Sequence, residues 1–348
     1  MSILGMRHVY RAGRWIKRRF GSKALIVLYH RVADLALDPQ LLAVTPEHFA
    51  EHLEILRSYS RPMSLQELMV ALRNGCLPRR AVVVTFDDGY ADNLYYAKPL
   101  LERYDIPATA FLTAGYIGST REFWWDELER LLLEPGRLPE ALRVHINGSV
   151  YQWVLGEGAD YSEESYHQHQ RWNVKQKDDP SPRQRLYRAL CPLLRPLSEG
   201  ERRSVLDELL AWAGAEPISR PTHRALSPDE LVRLADGDLV EIGSHTMTHP
   251  VLSEMPVGTQ QAEIRQSKAR LEEILGREVA SFAYPYGAQS DYTQETVGIV
   301  HEARFASACS NFPGVVQTGV NPYELPRCLV RNWSGEQFAH RLREWLPN

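Results

Sequence analysis

Two adjacent aspartates, Asp87 and Asp88, stand directly behind the apolar run Ala81-Val82-Val83-Val84-Thr85-Phe86 and just ahead of Gly89. Two histidines, His245 and His249, lie four apart and more than 150 residues further on. One carboxylate and two imidazoles make an open three-ligand metal site, with room left for water and a substrate. The other carboxylate then stays off the metal and takes a proton from water whose pKa the metal has lowered. A plain Asx-turn is the simpler alternative, but one acid satisfies such a turn and this run carries two. The histidines alone are a weak signal. On a helical turn their spacing would turn both rings the same way.

These side chains need elements that deliver them to one place. Four to six apolar, mostly β-branched residues in a row read as a strand buried on both faces. The pattern occurs at 23–29, ending in His30-Arg31, and again at 82–86, 108–113, 239–243, 279–283, 304–309 and 325–330. Between them lie helix starts with capping hydroxyls, at Thr45-Pro46-Glu47, Ser64 and Ser227-Pro228. Ala91 to Tyr104 and about Thr259 to Leu275 read as helices, the second closed by Gly276, and a last helix follows Gly335. The strand–helix rhythm with polar groups at strand ends predicts an α/β fold, a distorted (β/α) barrel of about seven parallel strands. An open doubly wound sheet is the alternative, without a Gly-x-Gly-x-x-Gly fingerprint to support a dinucleotide.

From about 118 to 225 the rhythm stops. Alternating apolar residues around Asn147-Gly148 predict a hairpin, 157–182 is polar and aperiodic, and 186–194 and 205–212 look helical. The chain therefore divides into a basic segment at 1–23 and a barrel over 24–348, interrupted by a lid-like mixed α/β insertion.

The formal charge of −4 argues against a nucleic-acid partner. Cys76, Cys191, Cys309 and Cys328 have no metal-type or framework spacing, which fits a reducing compartment. Arg7, Arg11, Arg14, Lys17, Arg18, Arg19 and Lys23 are interleaved with Trp15, Ile16 and Phe20, without an unbroken apolar core. Such a segment either lies on an anionic membrane surface or packs as a solvated helix. The expected location is cytoplasmic, at the inner face of the membrane in the first case.

Thr85-Phe86-Asp87-Asp88-Gly89 and Ser244-His245-Thr246-Met247-Thr248-His249 resemble the first two motifs of the polysaccharide deacetylase family, the NodB-homology domains of carbohydrate esterase family 4. Asp105-Ile106-Pro107-Ala108-Thr109-Ala110-Phe111 and Phe282-Ala283-Tyr284-Pro285-Tyr286-Gly287 are similar to that family as well. The resemblance covers roughly 24–116 and 225–332. It implies Asp87 as general base and Asp88, His245 and His249 as ligands of a divalent metal, usually zinc. It also implies metal-bound water as nucleophile and the Tyr286 N–H as oxyanion donor. The family's usual arginine partner of the base is replaced by Ala283; Arg327 or Arg31 could supply that charge. The usual general-acid histidine of the last motif is missing. His30, after Tyr29, could protonate the leaving amine, or merely cap a strand end. The remaining histidines, among them His52 and His223, receive no role. Trp124, Trp125 and Trp153 stack on sugars or, more in keeping with their size, pack apolar surface.

The implied activity is removal of N-acetyl groups from an N-acetylated sugar, in a polysaccharide or in a lipid-linked or nucleotide-linked precursor. An amidohydrolase opening a small or cyclic amide and a catalytically degenerate glycan-binding barrel are the alternatives. The sequence leaves the oligomeric state open.

Overall fold

The continuous apolar runs form the centre of the fold. The computed structural model describes residues 23–346, so the proposed membrane-binding segment falls almost wholly outside the described residues. Seven parallel strands build the main sheet: β1 (Ala24–Tyr29), β2 (Ala81–Phe86), β3 (Ala108–Leu112), β4 (Val240–Ser244), β5 (Ser281–Ala283), β6 (Ser307–Cys309) and β7 (Cys328–Leu329). Their order is β6-β5-β4-β3-β2-β1-β7, with the short strand Arg61–Pro62 added beside the start of β2. β1, β2 and β3 are buried at every position, which is what their unbroken hydrophobicity requires. β6 meets the chain entering β7 through one parallel bridge, Cys309 to Leu325, so the sheet curls into a distorted barrel joined by a minimal seam. Because the strands are parallel, their carboxyl ends share one rim.

The helix expected over 91–104 is broken in two. Asn93–Ala97 forms a π turn and Lys98–Tyr104 an α-helix. Pro99 has no N–H to continue an i→i−4 ladder, and the Lys98 N–H reaches back to Asn93 instead. The wide turn lets Asn93 donate its side-chain amide to the His30 carbonyl at 3.0 Å. The hairpin forms as expected, Ala141–Ile146 against Ser149–Val154, with Asn147 and Gly148 both at positive φ.

The insertion has its own hydrophobic core, built on Trp124, Trp125, Leu128, Leu132, Tyr187 and Leu190 together with Leu37 and Tyr90 of the barrel. Its polar stretch also contains an unforeseen helix, Glu163–His169, capped by Ser162. Among the described residues no helix is long and apolar enough to cross a membrane.

His52 shows how the helices are fastened. Its Nδ1 lies 3.2 Å from Tyr29 Oη, its Nε2 lies 2.8 Å from the Trp333 carbonyl, and its ring stacks on Phe338 at 4.1 Å. Burial lowers its pKa to about 4. The neutral ring is thus the folded form, so its contribution is complete above the unfolded value of about 6.5 and is lost as the pH falls toward 4. The loss amounts to about 3 kcal/mol. Denaturant melts at pH 7.5 and 4.5 should show wild type losing more stability than His52→Gln; equal losses would remove His52 from this account.

Candidate active site

The Asp-Asp-Gly turn ends β2 with a change of backbone hand. Asp87 keeps the strand direction and donates its N–H to the Tyr29 carbonyl at 3.0 Å. Asp88 then has φ 77° and Gly89 φ 94°. This abrupt turn lets two neighbouring carboxylates serve different partners. At Gly89 a Cβ would also lie 2.8 Å from Leu112 Cδ2, so sterics and backbone both call for glycine.

Arg327 of the segment entering β7 grips Asp87 with both ends of its guanidinium, 2.7 Å to Oδ1 and 2.7 Å to Oδ2. Its Nε donates to the Ser310 carbonyl at 2.7 Å. Both side chains are buried. Burial opposes the charge on Asp87, but Arg327 outweighs it and holds the carboxyl below its ordinary value. Arg31, the other arginine considered, is bound instead to Asp92 at 2.9 Å and lies over the Tyr90 ring.

Asp88 faces the histidines. Its Oδ1 is 3.7 Å from His245 Nε2 and 3.4 Å from His249 Nε2, and it is buried with no hydrogen-bond partner. His245 Nδ1 lies 2.8 Å from the Ala283 carbonyl, so that nitrogen carries the proton and Nε2 offers its lone pair. Burial lowers His245 to about 4 and His249 to about 3, keeping both rings neutral. A tetrahedral ion with bonds of about 2.0–2.1 Å separates its ligands by roughly 3.4 Å. The three facing donor atoms therefore fit a divalent metal, and the orphaned Asp88 oxygen calls for one.

The histidines do not sit on a helical turn. They lie in a loop after β4 in which Thr246 has φ 66° and His249 φ 58°. Glu263, on the helix Val257–Leu275, secures that loop by accepting from the Met247 and Thr248 N–H groups at 2.8 and 2.9 Å and from Thr248 Oγ1 at 2.7 Å. Of nine non-glycine residues at positive φ among the described residues, Asp88, Thr246, His249 and Tyr286 belong to this site. Periodicity cannot reveal this, because glycine, the usual marker of such backbone, follows Asp88 and Tyr286 but is absent from the loop that carries Thr246 and His249.

The site opens into a cavity of about 560 Å³. His30, Asp87, Asp88, His245, His249 and Tyr286 all line it. Burial lowers the pKa of His30 against the opposing pull of Asp88 and Asp87, so the resting ring is neutral. An acid role for His30 thus requires a proton gained during the reaction. Trp124, Trp125, Pro192 and Arg195 bring the insertion into the cavity wall, whereas Trp153 stacks on Tyr151 in the hairpin, outside it. Trp125 stands edge-on to His249 at 5.1 Å, and Trp124 Nε1 donates to Tyr286 Oη at 3.2 Å. Arg195 covers the Tyr286 ring at 4.3 Å and pairs with Asp291 at 2.6 Å. Neither Arg195 nor Glu263 was marked by a sequence motif; both act through tertiary contact.

Comparison with known proteins agrees with this arrangement. The polysaccharide deacetylase family model matches residues 74–137 and 210–303, passing over most of the insertion. A putative polysaccharide deacetylase, YxkH of Bacillus subtilis, is 28% identical over 119 residues, 34% of this chain and 41% of that protein. The poly-beta-1,6-N-acetyl-D-glucosamine N-deacetylase of Staphylococcus epidermidis is 36% identical over 81 residues, 22% of this chain and 27% of that protein. The chain thus matches less than half the length of these curated relatives. Among solved structures, the Streptococcus pyogenes deacetylase PplD in complex with acetate superimposes with a TM-score of 0.57 at 17% identity, covering 94% of this chain and 99% of that one. IcaB from Ammonifex degensii gives 0.57 at 20% identity, covering 93% and 98%. These two likenesses establish the shared fold. The matched segments contain Asp87, Asp88, His245 and His249, and in that sequence and in this barrel the chain is similar to the polysaccharide deacetylase family.

Proposed function

We propose that the protein is a metal-dependent hydrolase that removes N-acetyl groups from an N-acetylated sugar, with zinc as the ion held by Asp88, His245 and His249. The observation that carries this reading is the division of labour at one turn: Asp88 faces two neutral imidazoles while Asp87, ionised by Arg327, stays beside them in the same cavity. An ion held by the triad supplies Lewis acidity to water and to the amide carbonyl. Asp87 takes the proton from the attacking water. As the C–N bond breaks, the amine leaves with a proton passed on from Asp87, directly or through His30, and the acyl group departs as acetate. The Tyr286 N–H finds no acceptor among the described residues and is free to bind the developing oxyanion.

The cavity's charge bears on the sugar. Arg195 is neutralised by Asp291, but Arg331, which also lines the cavity, has no carboxylate at ion-pair distance among the described residues. Its Nη1 is engaged with the Gln40 and Leu41 carbonyls only. This favours a substrate with an anionic group, such as a lipid-linked or nucleotide-linked sugar phosphate, over a neutral polymer. An acetate-release screen over neutral N-acetylated oligomers and phosphate-linked N-acetylated sugars tests both levels. Arg331→Gln should raise KM for the phosphate-linked substrates roughly 10-fold or more while changing that of neutral ones little. Release from neutral oligomers alone would remove the anionic preference; release from none of them would remove the deacetylase reading.

A further inference from the structure

A second convergence of ligand atoms lies outside the catalytic cavity. Asp126 and Glu129, three apart on one face of the helix Trp124–Leu133, meet His223 from the segment that leads out of the insertion. Each offers one atom, all within 4.8 Å of one another, and all three residues are buried.

Hydrogen bonds already brace each of these side chains. Tyr90 Oη donates to Asp126 Oδ2 at 2.6 Å, Arg220 Nη1 donates to Glu129 Oε1 at 2.8 Å, and Thr222 Oγ1 lies 2.9 Å from His223 Nδ1. A ligating imidazole commonly has its second nitrogen tied up in this way, and ligating carboxylates are commonly braced by such donors. His223 Nε2 is buried without a partner and faces Glu129 Oε2 at 4.0 Å.

The local charges leave a deficit of cations. Arg31 is committed to Asp92. Arg220 holds Glu122 through two nitrogens, each at 2.9 Å, and must also serve Glu129 and Glu134. With the His223 proton on Nδ1 toward Thr222 Oγ1 and both carboxyl groups ionised, as ligands to an ion would be, the facing atoms all accept and cannot satisfy one another. Beside them a void of about 10 Å³, lined in part by Asp126 and Glu129, has room for about one water as a further ligand.

We propose that Asp126, Glu129 and His223 form a second, structural site for a first-row divalent ion. Mixed carboxylate and imidazole donors suit zinc or manganese. The site would fasten the insertion to the catalytic turn: Tyr90 follows Gly89 in the chain, and its hydroxyl accepts from Trp125 Nε1 at 2.8 Å.

The test is metal stoichiometry of the full chain, measured by elemental analysis after chelator stripping and dialysis against zinc or manganese. Wild type should take up two equivalents and His245→Gln/His249→Gln one. Adding either His223→Gln or Asp126→Asn to that double variant should abolish uptake. The ion should also raise the thermal midpoint of the double variant and not of either triple variant. A folded double variant that takes up no ion, or triple variants that still take up one, would overturn the proposal. Asp126→Asn keeps an acceptor for Tyr90, so the question stays answerable should His223→Gln fail to fold.

Discussion

Asp87→Asn should lower acetate release by about 10²–10⁴-fold, the usual contribution of a positioned general base, while the triad retains its ion. An amide of the same size cannot take a proton from water. Asp88, His245 and His249 are untouched, because Asp87 spends its two oxygens on Arg327 rather than on the imidazoles. Rates of acetate release measured beside bound-metal content separate the two aspartates: Asp87→Asn loses rate and keeps metal, whereas Asp88→Asn loses both. An Asp87→Asn enzyme within tenfold of wild type would move the base elsewhere.

Arg327→Gln should carry the second largest effect. The pair is buried and bidentate, and removing one member strands a charge away from water. Breaking such a pair costs about 3–5 kcal/mol. The direction with pH follows from the carboxylate. In wild type its folded pKa lies below the ordinary value, so its stabilising contribution is present at neutral pH and is lost only as the pH falls through that lowered value. Without Arg327 the burial that opposes ionisation is no longer outweighed. The Asp87 pKa rises, its contribution disappears at higher pH, and the acid limb of kcat/KM moves upward with it. Arg327→Lys, which keeps charge but not the fork, should fall between. Asp87→Asn/Arg327→Gln should recover much of the stability lost in either single variant without recovering activity. Denaturant melts and pH–rate profiles check both halves. An Arg327→Gln protein with unchanged stability and an unchanged acid limb would contradict this pairing.

What could be read from the sequence was whatever local pattern encodes. The runs at β1, β2 and β3 are apolar because both faces are buried, and a run of that kind reports its own environment. The two motifs carry their chemistry in residue type, so Asp87, Asp88, His245 and His249 could be singled out. Arg327 could be reached because a missing charge at Ala283 had to be replaced from a neighbouring strand end, and the alternative Arg31 differs from it only in three-dimensional reach. The left-handed loop that makes His245 and His249 converge was not legible, since Thr246 and His249 adopt positive φ only under the restraint of Glu263 and the packed strands. The insertion read as a lid because the strand–helix rhythm stops there; its core, which joins distant residues with Leu37 and Tyr90 among them, was not legible, since no window of sequence contains both sides. His223 was passed over for the same reason: its meaning lies in Asp126 and Glu129, which sit nearly a hundred residues away.

The most direct test of the central claim is acetate release from an N-acetylated sugar by one preparation taken through chelation and zinc restoration, with Asp87→Asn beside it. The expected result is turnover by the zinc-loaded protein, loss on chelation, recovery on adding zinc, and none of that recovery in Asp87→Asn. Full acetate release by the stripped, metal-free protein, or zinc-restored release by Asp87→Asn at the wild-type rate, would contradict it.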